Sequence, residues 1–248
     1  MSNMIDSVNP VDPLDPEAKS TTHLLDIVTV VAISGLAFQI ENLAIAAGWI
    51  PFAEEVRGAI SVVVGACAAV GIVFARGGSF ADLGFKRPRR WSVVPLQVAA
   101  ILAAFVVVQS LAPVLVSSFI DMPEPDLSRY DSIAGNVGGA IAMALILPLT
   151  ASIPEEIIYR GFLIGRLSEI FGRNTGGVFL TVLIQALVFS AIHFQWGVGG
   201  MIVTFIMGAV WGIAYLLCDR NLWVVILAHS TGHLLLVVQL YLAKPLFI

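Results

Sequence analysis

In the stretch "AIAMALILPLTASIPEEIIYRGFLIGRLSEIFG" (residues 140–172), a long apolar run leads directly into two adjacent glutamates and an arginine. A transmembrane helix requires about 20 consecutive, mostly apolar residues. The run from 134 to 157 meets this length, and the sequence after it can extend the helix well past 157. Ionisable residues are costly inside a bilayer, so those found there usually have a function. This stretch therefore predicts a membrane helix that carries a polar site.

The composition of the whole chain is that of a membrane protein. Of its 248 residues, 58% are hydrophobic and 12% are charged, and the mean hydropathy is +0.93. A soluble domain is about 45–50% apolar and about 25% charged. The net charge is only -4, and no basic stripe with interleaved aromatic residues occurs. Nucleic acid is therefore not expected as a partner.

Seven apolar runs predict an all-α fold, a polytopic transmembrane helical bundle of about seven spans. Residues 1–23 are acidic and contain prolines, without the features of a signal peptide, and predict a disordered cytoplasmic tail. Residues 24–248 are expected to form a single transmembrane domain, with a functional core over about 80–240. We place the spans near 24–49, 58–75, 92–119, 134–157, 176–196, 200–218 and 222–242.

Basic residues in the loops predict the orientation. One side of the bundle would carry nine of them: Lys19, Arg76, Lys86, Arg87, Arg89, Arg90, Arg166, Arg173 and Arg220. The other side would carry three, Arg57, Arg129 and Lys244, with the acidic linker "DMPEPDLSRYD" (121–131). The positive-inside rule then puts the N-terminus in the cytoplasm. The short, single-domain form favours a prokaryotic inner membrane over an organelle.

Few polar residues lie within the predicted spans, and their types are those of a catalytic site. A Glu–Arg pair four residues apart can be a structural ion pair, and a membrane histidine can serve as an interhelical hydrogen bond. For Glu41 and Asn42 in the first span, we expect such a structural role. Together, the remaining residues supply a base, a charge to tune it and hydrogen-bond donors: Glu155, Glu156, Arg160, His193, His229 and His233.

Three short motifs carry a resemblance to a known family. "EEIIYRG" (155–161) matches E-E-x-x-x-R, "FSAIH" (189–193) matches F-x-x-x-H, and "HSTGH" (229–233) stands where a histidine is followed four residues later by asparagine. In this order, on separate spans, they resemble the CAAX protease and bacteriocin-processing family of intramembrane proteases, which includes the Ras-converting endopeptidase. "ADLGF" (81–85), before a basic stretch, is similar to a common feature upstream of that core. The resemblance covers about residues 80–240.

The resemblance implies a glutamate-type intramembrane endopeptidase that uses no cofactor. Its substrate would be a peptide or protein tail, lipidated or not, that is cleaved near the membrane. Membrane lipid would be the other partner. Glu155 is the expected base, because burial makes a carboxylate a better base near neutral pH. His193 would help to position the water. Glu156 would pair with Arg160 and orient the motif, or share the role of base.

The two histidines of the third motif are expected to stabilise the oxyanion. His229 and His233 are four residues apart and share one helix face, from which they can donate hydrogen bonds. In the resembled family, the position of His233 is usually asparagine and is associated with the oxyanion. A histidine can also donate there, so the role can survive the exchange. The same exchange is also compatible with a subgroup of altered or lost activity.

Three alternatives remain at this point. Histidines four residues apart can bind zinc, with Glu155 and His193 completing the shell, although "HSTGH" lacks the glutamate of H-E-x-x-H. The polar set can instead serve an ion- or proton-coupled transporter, although no inverted repeat is visible. A non-catalytic membrane scaffold of the same fold is the third alternative.

The predicted site depends on the length of the fourth span. Counted along the chain, Glu155 falls near one end of that span, and His193 falls near the opposite end of the fifth span. At 1.5 Å per residue they would lie far apart. They can meet if the fourth span continues past Arg160 or the fifth begins late, and we expect the first.

Overall fold

The protein is a bundle of helices, as its composition predicts. The structure is a computed structural model that describes residues 16–50, 57–121 and 128–242. Within these ranges it contains seven long helices and no strand, so the all-α prediction is confirmed. The helices are α1 (Pro16–Ala46), α2 (Ala59–Ala75), α3 (Val94–Ser117), α4 (Val137–Phe171), α5 (Thr175–Ala191), α6 (Gly197–Leu217) and α7 (Leu222–Leu242). Short 3₁₀ turns cover Trp91–Val93, Ser128–Ile133 and Phe194–Trp196.

The helices have the length and surface of a multi-pass membrane protein. By length and composition α1, α3, α4, α6 and α7 can each cross a bilayer. The apolar helices α2 and α5 have 17 residues each, or about 26 Å at 1.5 Å per residue. Large apolar side chains such as Leu43, Leu96 and Leu217 are exposed on the outside of the bundle. Such a surface is unfavourable in water and typical of contact with lipid.

Two predicted boundaries differ from those of the structure. The helix α1 begins at Pro16, so residues 16–23 are helical where a disordered tail was expected. The hydroxyls of Thr21 and Thr22 donate to carbonyls four residues earlier in this helix. This first part of α1 is polar, so a search for apolar runs does not detect it. The helix α5 ends at Ala191, not at 196, and a 3₁₀ turn follows. Residues 1–15, Lys244 and positions 122–127 of the acidic linker lie outside the described residues.

The fourth helix runs without a break through the charged motif. Its 35 residues include two π-helical stretches, Pro148–Ser152 and Glu156–Leu163. Proline has no N–H to donate and crowds the preceding turn, and local π-helical adjustment is a known way to accommodate it within a membrane helix. Pro148 and Pro154 lie within and between these stretches. Glu155 is therefore about midway along α4. The fourth span continues past Arg160, as expected from the sequence.

A loop between α2 and α3 enters the bundle and packs against α4. Its turn is closed by Asp82, which accepts hydrogen bonds from the backbone N–H and the hydroxyl of Ser79 at 2.7 and 2.8 Å. The hydroxyl bond, followed by the backbone one, lowers the pKa of Asp82. The next residue, Leu83, is buried, and its carbonyl lies where a Cβ on Gly161 would be only 2.7 Å away. The "ADLGF" segment thus rests on the glycine that ends the "EEIIYRG" motif.

The two polar residues of α1 that were expected to be structural have structural contacts. The carboxylate of Glu41, which is buried, accepts backbone N–H groups from Gly58 and Ser61 at the start of α2. It thereby satisfies donors that a helix N-terminus leaves free. The side-chain oxygen of Asn42 accepts from Arg57 at 2.8 Å. Both residues tie α1 to the beginning of α2.

Candidate active site

A completely buried carboxylate, Glu156, lies at the centre of the site. Its Oε1 atom accepts from Nη1 of Arg160 at 3.1 Å and is 2.8 Å from Nδ1 of His229. The exposed fractions of the Glu156 and Arg160 side chains are 0% and 1%. An unpaired charge in such a place would cost several kcal/mol, so both partners are required to keep the carboxylate there. The ion pair expected between Glu156 and Arg160 is present in the structure.

His229 joins the two glutamates of the motif. A carboxylate paired with an arginine accepts hydrogen bonds and does not donate them, so Nδ1 of His229 carries the proton toward Glu156. This bond turns Nε2 toward Glu155, and Nε2 lies 4.0 Å from Oε2 of that residue. The separation is too long for a direct hydrogen bond, and a bridging water is the usual way to span such a distance.

Glu155 differs from its neighbour in its surroundings. Its side chain is 14% exposed, and no described residue donates a hydrogen bond to it. Because consecutive residues point in different directions around a helix, one glutamate faces the arginine while the other faces the partly open space beside His229. The two adjacent carboxylates thus differ: Glu156 is completely buried and bonded to Arg160 and His229 through Oε1, whereas Glu155 is partly exposed and has no described donor.

His233 stacks one turn after His229, as the i, i+4 spacing predicts. The two ring centroids are 4.7 Å apart. Nδ1 of His233 is 2.8 Å from the hydroxyl of Ser152, which is itself buried. A hydroxyl can rotate to donate or accept. If Ser152 donates, Nε2 of His233 carries the proton and can donate to a substrate atom.

Ser152 is a site residue that the motifs do not include. It lies at the end of the first π-helical stretch, one helical turn before Glu156. The available signal was a polar residue in an apolar run, at a spacing that puts it on the same face as the motif. That signal is weak, because membrane helices often contain serines that donate to their own backbone.

His193 follows α5 and lies at the edge of the cluster. Its Nδ1 is 2.8 Å from the carbonyl oxygen of Phe189. A carbonyl can only accept, so Nδ1 carries the proton, and Nε2 of the neutral ring can accept a hydrogen bond. The ring packs between Phe189 and Trp196, with centroid distances of 4.8 and 4.7 Å.

An aromatic side chain, Phe189, contacts both His193 and the arginine of the motif. The Phe189 ring contacts the ring of Tyr159 and lies under the guanidinium of Arg160, 4.9 Å from its centroid. No hydrogen bond or ion pair among the described residues connects His193 to Glu155 or Glu156. The structure therefore brings Glu155, Glu156, Arg160, His229 and His233 into one cluster. His193 reaches this cluster through Phe189, whose ring contacts both His193 and Arg160.

The zinc alternative requires ligands that converge. Within the described residues, no group of three or more His, Cys, Asp or Glu side chains is arranged to hold a metal ion. Nδ1 of His229 and Nδ1 of His193 are hydrogen-bonded to a carboxylate and a carbonyl, so the Nε2 atom of each ring is the one left to bind a metal or a water.

Fold and site together define a multi-pass helical membrane protein with a carboxylate, arginine and histidine cluster inside the bundle. Residues 137–235 match the model of a family described as type II CAAX prenyl endopeptidase Rce1-like. The match covers these residues only, and it supports a CAAX intramembrane protease at family level. The matched range begins with α4 and ends within α7, and it contains all six candidate residues. The family predicted from the three motifs is thus confirmed.

The match therefore supports a protease at family level for residues 137–235, and the apolar helices indicate a multi-pass membrane protein. Neither the curated proteins nor the solved structures contain a match to it.

Proposed function

We propose that this chain is a glutamate-dependent intramembrane endopeptidase in which Glu155 activates the attacking water. The observation that carries the proposal is the difference between the two glutamates. Glu156 is engaged by Arg160 and His229, whereas Glu155 is partly accessible, lacks a described donor and faces Nε2 of His229 at 4.0 Å. A general base must be free to take a proton, and only Glu155 of the two is free.

In the proposed reaction, Glu155 takes a proton from water as the oxygen attacks the scissile carbonyl. Nε2 of His193, whose lone pair is free to accept, would hold the second hydrogen of that water. The carbonyl oxygen becomes an oxyanion, for which His233, and His229 when protonated at Nε2, are the donors. Glu155 then passes its proton to the leaving amine as the C–N bond breaks. Each oxyanion donor is typically worth about 3 kcal/mol of barrier.

Glu156 and Arg160 act in this scheme as positioning residues. The Glu156 carboxylate fixes the ring of His229 through Nδ1, as the buried aspartate does in a Ser-His-Asp triad. Arg160 neutralises Glu156 and packs on Phe189, whose carbonyl holds His193. The ion pair thus supports the histidines on both sides of the site without contacting the substrate.

The proposed substrate is a peptide or protein tail that reaches the site from the membrane, with a prenylated tail as the class that the family implies. We place the N-terminus in the cytoplasm, because nine basic loop residues lie on that side of the bundle against three on the other. The short, single-domain form favours a prokaryotic cell. With seven spans, the C-terminus would lie outside the cytoplasm, so alkaline phosphatase fused after Ile248 should be active there. An inactive fusion with normal expression would mean that the orientation is the opposite one.

The experiment compares the peptides released from membranes that contain wild-type protein or Glu155→Gln. The amide keeps the size of the side chain but cannot act as a base, so cleavage should fall by about 10²–10⁴-fold. Glu169→Gln is the matched control, because Glu169 lies on the same helix in an exposed pair with Arg173. The proposal fails if Glu155→Gln releases the same peptides at the wild-type rate. A variant that loses cleavage at an unchanged protein level also excludes the non-catalytic scaffold.

A further inference from the structure

A basic cavity lies at the end of the bundle where α3 and α7 begin. Its volume is about 380 Å³. Four cationic side chains from five consecutive positions line it, Lys86, Arg87, Arg89 and Arg90, and all four are exposed. Val93 and Val224 supply an apolar portion between the two helices. None of these residues belongs to the proposed active site.

The cavity is held in shape by backbone contacts to the start of α7. The side-chain amide of Asn221 donates to the carbonyl of Lys86, and the N–H of Leu222 donates to the carbonyl of Gly84, both at 2.9 Å. Gly84 has a φ of +92°, and a Cβ there would lie 2.7 Å from the carbonyl of Arg220. The backbone of the basic segment is therefore fixed to the α6–α7 connection.

The positive charge of the cavity is not compensated by the protein. The one acidic residue that lines it is Asp219, which is 3.3 Å from Arg89 in a pair whose side chains are both largely exposed. Exposed pairs of this kind contribute little and are easily exchanged. Within the described residues, Lys86, Arg87 and Arg90 have no ion-pair partner. Three cations thus line a cavity whose one acidic lining residue, Asp219, is paired with a fourth cation.

The cavity lies at the level of the membrane surface. An apolar span begins at Trp91, directly after the basic segment, and another, α7, begins at Leu222. Exposed apolar side chains, Val93 and Leu96, continue from the cavity along α3 toward the membrane interior. A basic pocket between transmembrane helices, next to the membrane surface, is the kind of site that holds acidic lipid headgroups.

We propose that this cavity binds the phosphate of an anionic phospholipid headgroup, with the acyl chains lying along α3. The convergence of Lys86, Arg87 and Arg90 on a preformed cavity, at the start of an apolar span, carries the proposal. A soluble phosphate presents the same chemistry, but it would lack the contact with Val93 and Leu96. The proposal does not depend on the protease assignment.

The test measures lipid bound to the purified full-length protein by native mass spectrometry. The protein is supplied with equal amounts of phosphatidylglycerol and phosphatidylcholine of identical acyl chains. The wild type should retain phosphatidylglycerol in preference. Arg87→Gln/Arg90→Gln should weaken this retention by about fivefold for each charge removed. Arg87→Lys/Arg90→Lys keeps the charges and should stay close to wild type.

The control is Arg57→Gln/Arg173→Gln, which removes two exposed arginines that do not line the cavity. It should retain phosphatidylglycerol as the wild type does. Equal retention of the two lipids by the wild type, or equal loss in the pocket and control variants, would overturn the proposal. Release of phosphatidylglycerol by an equimolar amount of inorganic phosphate would also overturn it, because the ligand would then be a soluble anion.

Discussion

The close contact between Gly161 and the "ADLGF" loop gives a sharp test of how α4 is held. A Cβ at Gly161 would lie 2.7 Å from the Leu83 carbonyl oxygen, whereas ordinary contacts begin at 3.4 Å. The neighbour is backbone and belongs to a loop that is itself hydrogen-bonded to α7 through Gly84 and Leu222. Gly161→Ala therefore requires α4 and this loop to separate by 0.7 Å, the difference between the two distances.

Forcing a methyl group into a packed interior costs about 1–3 kcal/mol. Alanine also gains about 1 kcal/mol over glycine in a helix interior, so the net loss for Gly161→Ala should be about 0–2 kcal/mol. Gly165 lies one turn later on the same helix, and a Cβ there would have nothing within 4 Å. Gly165→Ala should therefore be stabilising by about 1 kcal/mol. The difference between the two variants, about 1–3 kcal/mol, is the quantity that the contact predicts.

The assay is thermal unfolding of both variants in the same detergent, together with release of substrate peptides. Gly161→Ala should unfold at a lower temperature than Gly165→Ala and cleave more slowly, because Arg160 and Glu156 precede Gly161 on the same π-helical stretch. A displacement of α4 by a few tenths of an ångström changes the geometry on which proximity effects depend. Equal unfolding temperatures for the two variants would refute the proposed packing of Leu83 on α4.

Two further pairs of substitutions test the site itself. Arg160→Met leaves Glu156 buried without its arginine and should lower the free energy of unfolding by about 3–5 kcal/mol. Arg173→Met, which breaks an exposed pair, should lower it by at most about 1 kcal/mol. Similar losses in thermal unfolding would mean that the buried pair is not required. His233→Asn keeps a donor and should retain kcat within about tenfold, whereas His233→Ala should lower kcat by about 10²–10³-fold. If asparagine is as damaging as alanine, the donor role of His233 is wrong.

The sequence predicts the number of helices well, because each apolar run has only one way to satisfy its backbone in lipid. It also predicts that Glu156 pairs with Arg160, since residues four apart meet on any regular helix. It does not predict the π-helical stretches, although Pro148 and Pro154 mark their positions. Nor can it show which nitrogen of His229 faces which glutamate, because that depends on how α7 packs against α4.

In the proposed mechanism, the cost of buried charge is the reason for two glutamates in the motif. A single carboxylate that must be both fixed and reactive faces conflicting demands, because the hydrogen bonds that hold it also remove its basicity. Here Glu156 accepts from Arg160 and His229 and is completely buried, while Glu155 remains accessible and unengaged. The carboxylate of Glu156 orients His229, which directs its Nε2 atom toward Glu155. The two roles are separated onto neighbouring residues of one helix, and the separation requires the helix to pass through the middle of the bundle without ending.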